Sequence, residues 1–219
     1  DCAQSADQMN ITVTNQVVAD AGSNAAVCEN SSYTVSDANV DYGNGTYSWS
    51  HDGNGSLADV ATLTPTYTPD ASDAGNTVTL TLTADGNSGC SPAVDQMNIT
   101  VANQVVADAG SNAAVCENSS YTVSDANVDY GNGTYSWSHD GNGSLADVAT
   151  LTPTYTPDAS DAGNTVTLTL TADGNSGCSP AVDQMNITVA NQVVADAGSN
   201  AAVCENSSYT VSDANVDYG

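Results

Sequence analysis

Six cysteines are the residues of this chain that could form covalent cross-links. Two of them occur in each full copy of a repeated sequence and two more stand alone near the ends: Cys28, Cys90, Cys116, Cys178, Cys2 and Cys204. The last two lack the second cysteine of their copy and are expected to be unpaired. A zinc site would need CxxC or nearby histidines, which a spacing of 62 residues does not supply. The even number per copy predicts disulfides and therefore an oxidising compartment.

Two pairings of these cysteines fit the sequence. One lies within each copy and joins Cys28 to Cys90 and Cys116 to Cys178, whereas the other crosses a junction and joins Cys90 to Cys116. We favour the first, because in an extended stack the chain runs onward and carries Cys116 away from Cys90, while the Cα atoms of a disulfide stay within about 7 Å. A bridge to a neighbouring chain is the remaining alternative.

Oxygen-bearing side chains at alternate positions form a second chemical pattern. They occur in the run DGNGS and shortly after it in both full copies: Asp52, Asn54, Ser56, Asp59, Asp140, Asn142, Ser144 and Asp147. Calcium takes six to eight oxygen ligands, so these residues are a candidate calcium site. The closing bidentate glutamate of a calcium loop is absent, however, and a plain Gly/Asn turn without metal is the favoured interpretation.

One histidine in each copy, His51 or His139, lies beside serines and an aspartate in SWSHDGNGS. A Ser-His-Asp triad needs a nucleophile and a base that a third group orients in a pocket. Consecutive residues between a strand and a turn point in different directions and do not meet that need. We therefore predict a surface turn histidine, and a protein that is not an enzyme and has no cofactor apart from the candidate calcium.

A repeat of 88 residues positions all of these groups, because residues 15–101 recur unchanged as residues 103–189. A period of that length is one small domain rather than one unit of a solenoid. The chain is predicted to divide into the last strand of a preceding repeat, two full repeats and the first strands of a following repeat: residues 1–16, 17–104, 105–192 and 193–219. We therefore expect the 219 residues to be a segment of a longer array.

Alternating apolar and polar residues predict β-strands within each repeat. The clearest example is TVTLTLT at Thr77–Thr83, and turn dipeptides such as Asn44-Gly45 and Asp85-Gly86 separate it from similar runs. No stretch has helical periodicity, so the repeat is predicted to be an antiparallel sandwich of about seven strands. Its predicted core is Val27, Val35, Trp49, Leu57, Leu63, Tyr67, Val78, Leu80, Leu82, Met97 and Ile99.

The charge of the chain excludes several classes of partner. It has 26 acidic residues, no lysine and no arginine, for a formal net charge of −26. Without cations it cannot displace counterions from nucleic-acid phosphates or bind an anionic membrane surface. No apolar run approaches the ~18 residues of a membrane span. A saline extracellular setting fits this composition, because salt relieves the self-repulsion.

The repeat resembles the immunoglobulin-like or PKD-like repeats of very large surface proteins of Bacteroidetes-type bacteria. The resemblance covers the whole repeat and depends most on VCEN at Val27–Asn30, LTPTYTP at Leu63–Pro69, VTLTLTA at Val78–Ala84 and the GC of Gly89 and Cys90. It implies tandem immunoglobulin-like sandwiches that are secreted to the cell surface as adhesins, stalks or filaments. Their partners would be neighbouring repeats, copies of the same chain or an extracellular ligand.

One position departs from the immunoglobulin pattern. SDAGNT at Ser72–Thr77 is similar to the approach to strand F, but Thr77 stands where a corner tyrosine is expected, so its hydrogen bond must be replaced. The sequence as a whole favours a semi-rigid structural array. The alternative is an array of glycan- or protein-binding modules that act through avidity, for which the chain has few aromatic residues.

Overall fold

Alternation of apolar residues with threonine determines the central strands of each repeat. In the computed structural model, which describes residues 2 and 4–217, TVTLTLT forms the start of a ten-residue strand. Val78, Leu80 and Leu82 on one face of it are at most 2% exposed, while the threonines lie on the other face. The outermost positions of the predicted terminal parts, residues 1, 3, 218 and 219, lie outside the described residues.

The first full repeat contains nine strands: β1 Val18–Asp20, β2 Ala25–Cys28, β3 Tyr33–Thr34, β4 Asn39–Asp41, β5 Gly43–His51, β6 Ser56–Ala58, β7 Thr66–Thr68, β8 Thr77–Gly86 and β9 Ala93–Ala102. They form a four-stranded sheet in the order β2-β9-β8-β5, a three-stranded sheet in the order β3-β7-β6, and the pair β1-β4. The count exceeds the predicted seven because several strands have only two or three residues. A short 3-10 helix, Ala71–Asp73, precedes β8.

The second full repeat has the same elements: β10 Val106–Asp108, β11 Ala113–Cys116, β12 Tyr121–Thr122, β13 Asn127–Asp129, β14 Gly131–His139, β15 Ser144–Ala146, β16 Thr154–Thr156, β17 Thr165–Gly174 and β18 Ala181–Ala190. Its sheets are β11-β18-β17-β14, β12-β16-β15 and β10-β13. Its 3-10 helix is Ala159–Asp161. A further pair follows, β19 Val194–Asp196 with β20 Asn215–Asp217.

One apolar core lies between the two larger sheets of the first repeat. Trp49, Leu80 and Met97 come from the four-stranded sheet, and Tyr67 comes from the three-stranded sheet. Most of the predicted core residues are buried, but Leu57 and Leu63 are only partly buried. Two sheets around a shared core in each repeat confirm the predicted tandem immunoglobulin-like β-sandwich.

Most strand pairs are antiparallel, but β2 runs parallel to β9. Ala25 lies opposite Ile99, and Cys28 lies opposite Ala102 at the end of β9. β11 and β18 pair in the same way in the second repeat. This parallel pairing decides where the first cysteine of each repeat lies.

The chain divides into two compact units. The first comprises residues 1–104 together with residues 175–178, and the second comprises residues 105–174 and 179–219. The four-part division predicted from the sequence stays a prediction. None of the helices found among the described residues has the length and apolar character needed to cross a membrane.

Candidate functional site

A disulfide joins Cys28 to Cys178 inside the first unit. The two Cα atoms are 4.8 Å apart, and 150 residues of chain separate them. That separation is the 62-residue spacing within one repeat plus one 88-residue period. Cys28 is 3% exposed and Cys178 is 8% exposed, so the bond is largely shielded from water.

A tight loop of the second repeat brings Cys178 to this position. Ser176 and Gly177 have left-handed backbone conformations, and the Cys178 N–H donates to the Asn175 carbonyl oxygen at 2.8 Å. The sulfur of Cys178 lies 3.4 Å from the Asn103 carbonyl oxygen, just beyond the end of β9. The loop therefore contacts the same strand end at which Cys28 lies.

The preferred pairing of Cys28 with Cys90 is wrong. Cys28 lies beside the last residue of β9, whereas Cys90 precedes its first residue, Ala93. Ten residues at about 3.3 Å each separate the two strand ends by roughly 30 Å, far beyond disulfide reach.

The remaining cysteines carry free thiols in the structure. Neither the predicted bond between Cys116 and Cys178 nor the alternative between Cys90 and Cys116 is present. Cys90 is partly buried, with its sulfur 3.3 Å from the Thr14 hydroxyl oxygen, and Cys116 is exposed. The two isolated cysteines near the chain ends, Cys2 and Cys204, are also exposed and carry free thiols.

A buried carboxylate replaces the missing corner tyrosine. Asp73, at the end of the 3-10 helix, is 2% exposed, and Tyr67 of β7 donates its hydroxyl proton to Oδ2 of Asp73 at 2.6 Å. The backbone N–H groups of Asn54, Gly55 and Asp70 also donate to this carboxylate, at 2.8 to 3.0 Å. The turn after β5, the strand β7 and the turn before β8 are therefore joined at one side chain.

These hydrogen bonds determine the acidity of the carboxylate. Burial by itself raises the pKa of Asp73, but the donors at Asn54, Tyr67, Asp70 and Gly55 together outweigh it and lower the pKa to about 2. Burial, followed by the bond to the carboxylate, raises the pKa of the Tyr67 phenol. Tyr155 and Asp161 repeat the arrangement in the second unit, where the pKa of Asp161 is also lowered to about 2.

The histidines differ from the predicted surface turn residue. His51 is the last residue of β5, and its ring packs edge-on against Tyr67 with ring centres 5.2 Å apart. Its Nδ1 atom is buried and has no hydrogen-bond partner among the residues that the structure describes. His139 and Tyr155 have a similar arrangement in the second unit.

The candidate calcium ligands of the first repeat have other contacts. Oδ1 of Asp52 accepts the Thr79 N–H at 2.7 Å, and the Asn54 backbone donates to Asp73. Ser56 begins β6, and the carbonyl oxygen of Asp59 accepts the N–H of the residue three positions later, Thr62. The equivalent residues of the second repeat, which are Asp140, Asn142, Ser144 and Asp147, are placed in the same way.

Packing explains the glycines of this segment. A side chain at Gly55 would collide with the Thr68 carbonyl oxygen and with the Tyr67 ring.

Within the part of the chain that the structure describes, no group of three or more histidine, cysteine, aspartate or glutamate side chains is placed to hold a metal ion. The calcium site stays a prediction.

A second carboxylate arrangement was not predicted. As the chain passes from β1 to β2, three consecutive backbone N–H groups, those of residues 21 to 23, donate to three different aspartates. Ala21 donates to Asp95 at 2.7 Å, Gly22 donates to Asp20 at 2.9 Å, and Ser23 donates to Asp37 at 2.9 Å. The three aspartates are far apart in the sequence, and the local signal for a turn here is the run ADAGS at Ala19–Ser23.

No protein-family model matches this sequence, and no curated protein matches it. Several solved structures resemble its fold. Extracellular domains 3–5 of Drosophila OTK align over 80% of this chain and 62% of their own, with 10% identity and a TM-score of 0.47. A three-immunoglobulin-domain titin structure aligns over 83% and 68%, with 12% identity and a TM-score of 0.47. Human Protocadherin-24 EC1-2 aligns over 81% and 99%, with 14% identity and a TM-score of 0.40. The chain thus spans less than two thirds of the OTK fragment.

Proposed function

We propose that the chain is a structural repeat protein of the cell exterior, a segment of a surface stalk or filament whose repeats are tied together by disulfides. The observation that carries this proposal is the bond between Cys28 of one repeat and Cys178 of the next. A bond within a single repeat would stabilise that domain alone, whereas this bond crosses the sequence boundary between repeats. The bond therefore connects successive repeats of the array rather than stabilising a single repeat.

The bond has a direct mechanical consequence. When a chain is pulled from its ends, the force passes through the disulfide, and the residues between its two cysteines stay slack. Without the bond, the 150 residues between the two cysteines would extend by roughly 3.5 Å each. The intact bond therefore shortens the contour length of the fully extended chain by about 500 Å. Closing a loop of this size also lowers the conformational entropy of the unfolded chain. This effect stabilises the folded state by about 5 kcal/mol relative to the unfolded state.

Composition supports an extracellular location. Disulfides persist in oxidising compartments, and a chain with a net charge of −26 and no basic residues stays soluble and is screened by salt. The repeat resembles the repeats of large surface proteins of Bacteroidetes-type bacteria. We therefore extend the proposal to surface arrays of the adhesin or filament type in such bacteria. The proposal gives the chain no catalytic role.

Single-molecule force spectroscopy tests the mechanical role. The chain is held at its two ends and extended in the presence and absence of a reductant. Without reductant we expect a short final contour length, and reduction should release about 500 Å more. The Cys28→Ser variant should reach the long contour length without reductant, while the matched Cys90→Ser variant should stay short.

Two outcomes would contradict the proposal. If the oxidised chain extends as far as the Cys28→Ser variant, the bridge does not bear force. If the unfolding forces of the oxidised chain equal those of the reduced chain, the bridge bears force but does not strengthen the array.

A further inference from the structure

Each full repeat contains two Asn-Gly dipeptides that have the same chemistry and different surroundings. In the first repeat they are Asn44-Gly45, near the start of β5, and Asn54-Gly55, in the turn between β5 and β6. The backbone nitrogen of the residue after an asparagine can attack the carbon of the asparagine side-chain amide. Glycine permits this best, because it has no Cβ to restrict the backbone. Each dipeptide is therefore a candidate site for loss of the asparagine amide.

The first dipeptide lies in an irregular part of β5. Gly43 lies opposite Gly86 of β8 and Tyr47 lies opposite Ala84, so three residues of β5 correspond to one residue of β8. Such a bulge leaves residues outside the regular ladder. Residues 44–46 are exposed, Gly45 has a φ of 85°, and a Cβ added there would meet no atom within 4 Å. The segment thus has room to change its conformation.

Hydrogen bonds of the Asn44 side chain favour the attack. Its Oδ1 atom accepts the Thr46 N–H at 2.8 Å, while its Nδ2 atom donates to the Gly86 carbonyl oxygen at a longer 3.4 Å. Attack on the amide carbon places negative charge on Oδ1, and a donor that is already in position stabilises such charge. The Thr46 N–H is that donor.

The second dipeptide is held through its glycine nitrogen. The Gly55 N–H donates to Oδ2 of Asp73 at 3.0 Å and to the Tyr67 hydroxyl oxygen at 3.2 Å. Attack requires this nitrogen to lose its proton, and the neighbouring carboxylate opposes the negative charge that then forms. Because a Cβ at Gly55 would collide with the Thr68 carbonyl oxygen, the backbone here also has little room to move.

The second repeat shows the same contrast. Oδ1 of Asn132 accepts the Thr134 N–H at 2.8 Å, and a Cβ at Gly133 would again meet no atom within 4 Å. The Gly143 N–H instead donates to Oδ2 of Asp161 at 3.0 Å. Each repeat therefore carries one Asn-Gly dipeptide that has room to react and one that does not.

We propose that the open dipeptides, Asn44-Gly45 and Asn132-Gly133, are sites of spontaneous deamidation. The folded structure shields the protected dipeptides, Asn54-Gly55 and Asn142-Gly143, from the same reaction. This modification goes beyond the proposed structural role and does not depend on it, because it requires only the fold of a single repeat.

The reaction balances with water as the only co-reactant. The Gly45 nitrogen gives its proton to hydroxide and forms a bond to Cγ of Asn44. The Cγ–Nδ2 bond then breaks, and ammonia leaves with a proton from water, which regenerates the hydroxide. Water adds to one of the two carbonyl carbons of the resulting succinimide ring. The ring opens either to aspartate or to isoaspartate, in which the chain continues through the side-chain carbon.

Each reaction replaces a neutral amide with a carboxylate. One reaction in each repeat takes the formal charge of the chain from −26 to −28. Isoaspartate also adds one carbon atom to the backbone, and the bulge of β5 places that atom outside the ladder that holds Trp49 in the core. We therefore expect the modified domains to stay folded.

Isotope labelling of the folded chain tests the inference. The chain is incubated in oxygen-18 water at mildly alkaline pH and is then digested in ordinary water, so that only oxygen incorporated during the incubation is counted. Chymotrypsin, which cleaves after tyrosine, cuts at Tyr47 and places the two dipeptides of a repeat in different peptides. We expect label to enter the peptide of the open dipeptides several-fold faster than that of the protected dipeptides. The labelled product should be a mixture of aspartate and isoaspartate.

Two controls separate the effect of the fold from that of the sequence. In the urea-unfolded chain, the two peptides should take up label at similar rates. In the Asp73→Ala/Asp161→Ala variant, which lacks the carboxylates that bind the glycine N–H groups, uptake at the protected dipeptides should rise while uptake at the open dipeptides stays the same. If this variant does not fold, the comparison of folded and urea-unfolded wild type still decides the question.

Three outcomes would overturn the inference. The first is equal uptake by the two peptides of the folded wild type. The second is the same ratio of uptake in the folded and the unfolded chain, because the fold would then protect neither dipeptide. The third is aspartate without isoaspartate at the open dipeptides, since that product comes from direct hydrolysis and not from a succinimide.

Discussion

At the scale of single residues, Asp73 is a buried carboxylate that joins separate segments of the first repeat. It accepts four hydrogen bonds of 3.0 Å or less from three segments of chain. The corner tyrosine of immunoglobulin domains places its own hydroxyl at a turn, whereas here Tyr67 on β7 reaches the carboxylate from inside the core. The sequence predicted that a replacement was needed, but it could not identify Tyr67, because that side chain also reads as an ordinary core residue.

Removing the Tyr67 hydroxyl should destabilise the domain. Tyr67→Phe leaves Asp73 buried with one strong donor fewer and leaves a hydroxyl-sized gap, so we expect a loss of about 1–3 kcal/mol in the free energy of unfolding. Urea unfolding followed by tryptophan fluorescence measures it. The matched variant Tyr47→Phe removes the hydroxyl of a partly buried tyrosine that takes no part in the hydrogen bonds to Asp73, and it should cost much less. Equal losses in the two variants would show that the network adds no stability.

Acid should weaken the domains through the same carboxylates. The pKa of Asp73 and of Asp161 is about 2 in the folded chain, below the ordinary 3.8. The unfolded chain therefore binds more protons between pH about 4 and about 2. This contribution to stability is complete above the ordinary value and is lost as pH falls through the folded value.

The double variant Asp73→Asn/Asp161→Asn isolates this contribution. It should be less stable than the wild type at neutral pH, but its free energy of unfolding should fall less steeply from pH 4 to pH 2. Urea unfolding at a series of pH values in that range measures both slopes. Parallel slopes in the variant and the wild type would contradict the assignment.

At the scale of elements, the parallel pairing of β2 with β9 explains why the disulfide was not predicted. Alternation in the sequence identifies a strand and its buried face, but it does not say in which direction a neighbour runs. The parallel strand places Cys28 at the far end of β9, and the cysteine that bonds to it there comes from the next repeat.

The crossing from β1 to β2 should depend on the carboxylates that bind its N–H groups. Ala21 is fully buried, and its N–H donates to Asp95 at 2.7 Å. Asp95→Ala leaves this donor without its acceptor, so we expect a loss of about 1–3 kcal/mol and faster hydrogen exchange at the Ala21 amide. Asp41→Ala removes the same charge from an exposed position of β4 and serves as the control. Unchanged exchange at Ala21 would show that the carboxylate does not protect this amide.

At the scale of the whole chain, the periodicity of the sequence predicted the fold but not the cysteine pairing or the carboxylate contacts. The 88-residue repeat and the alternation of TVTLTLT were enough to predict tandem sandwiches and most of their core. The cysteine pairing and the carboxylate contacts depend on residues that are distant in the sequence, such as Asp95 and Ala21 at a separation of 74. A single sequence carries no signal for such contacts, and an exact repeat offers each residue several equivalent partners.

Salt should stabilise the whole chain. The formal charge of −26 has no basic counterpart, so repulsion among carboxylates opposes the folded state. Raising sodium chloride from about 0.01 M to about 0.15 M shortens the Debye length from about 30 Å to about 8 Å and should raise the thermal unfolding midpoint by several degrees. Calorimetry measures the midpoint, and a fall with added salt would contradict this account.

The same measurement with calcium tests the candidate metal site. Asp52 and Asn54 already bind Thr79 and Asp73. We therefore expect calcium chloride and sodium chloride at matched ionic strength to give the same midpoint. A further rise with calcium that disappears in the Asp52→Asn/Asp140→Asn variant would instead establish a specific site in each repeat.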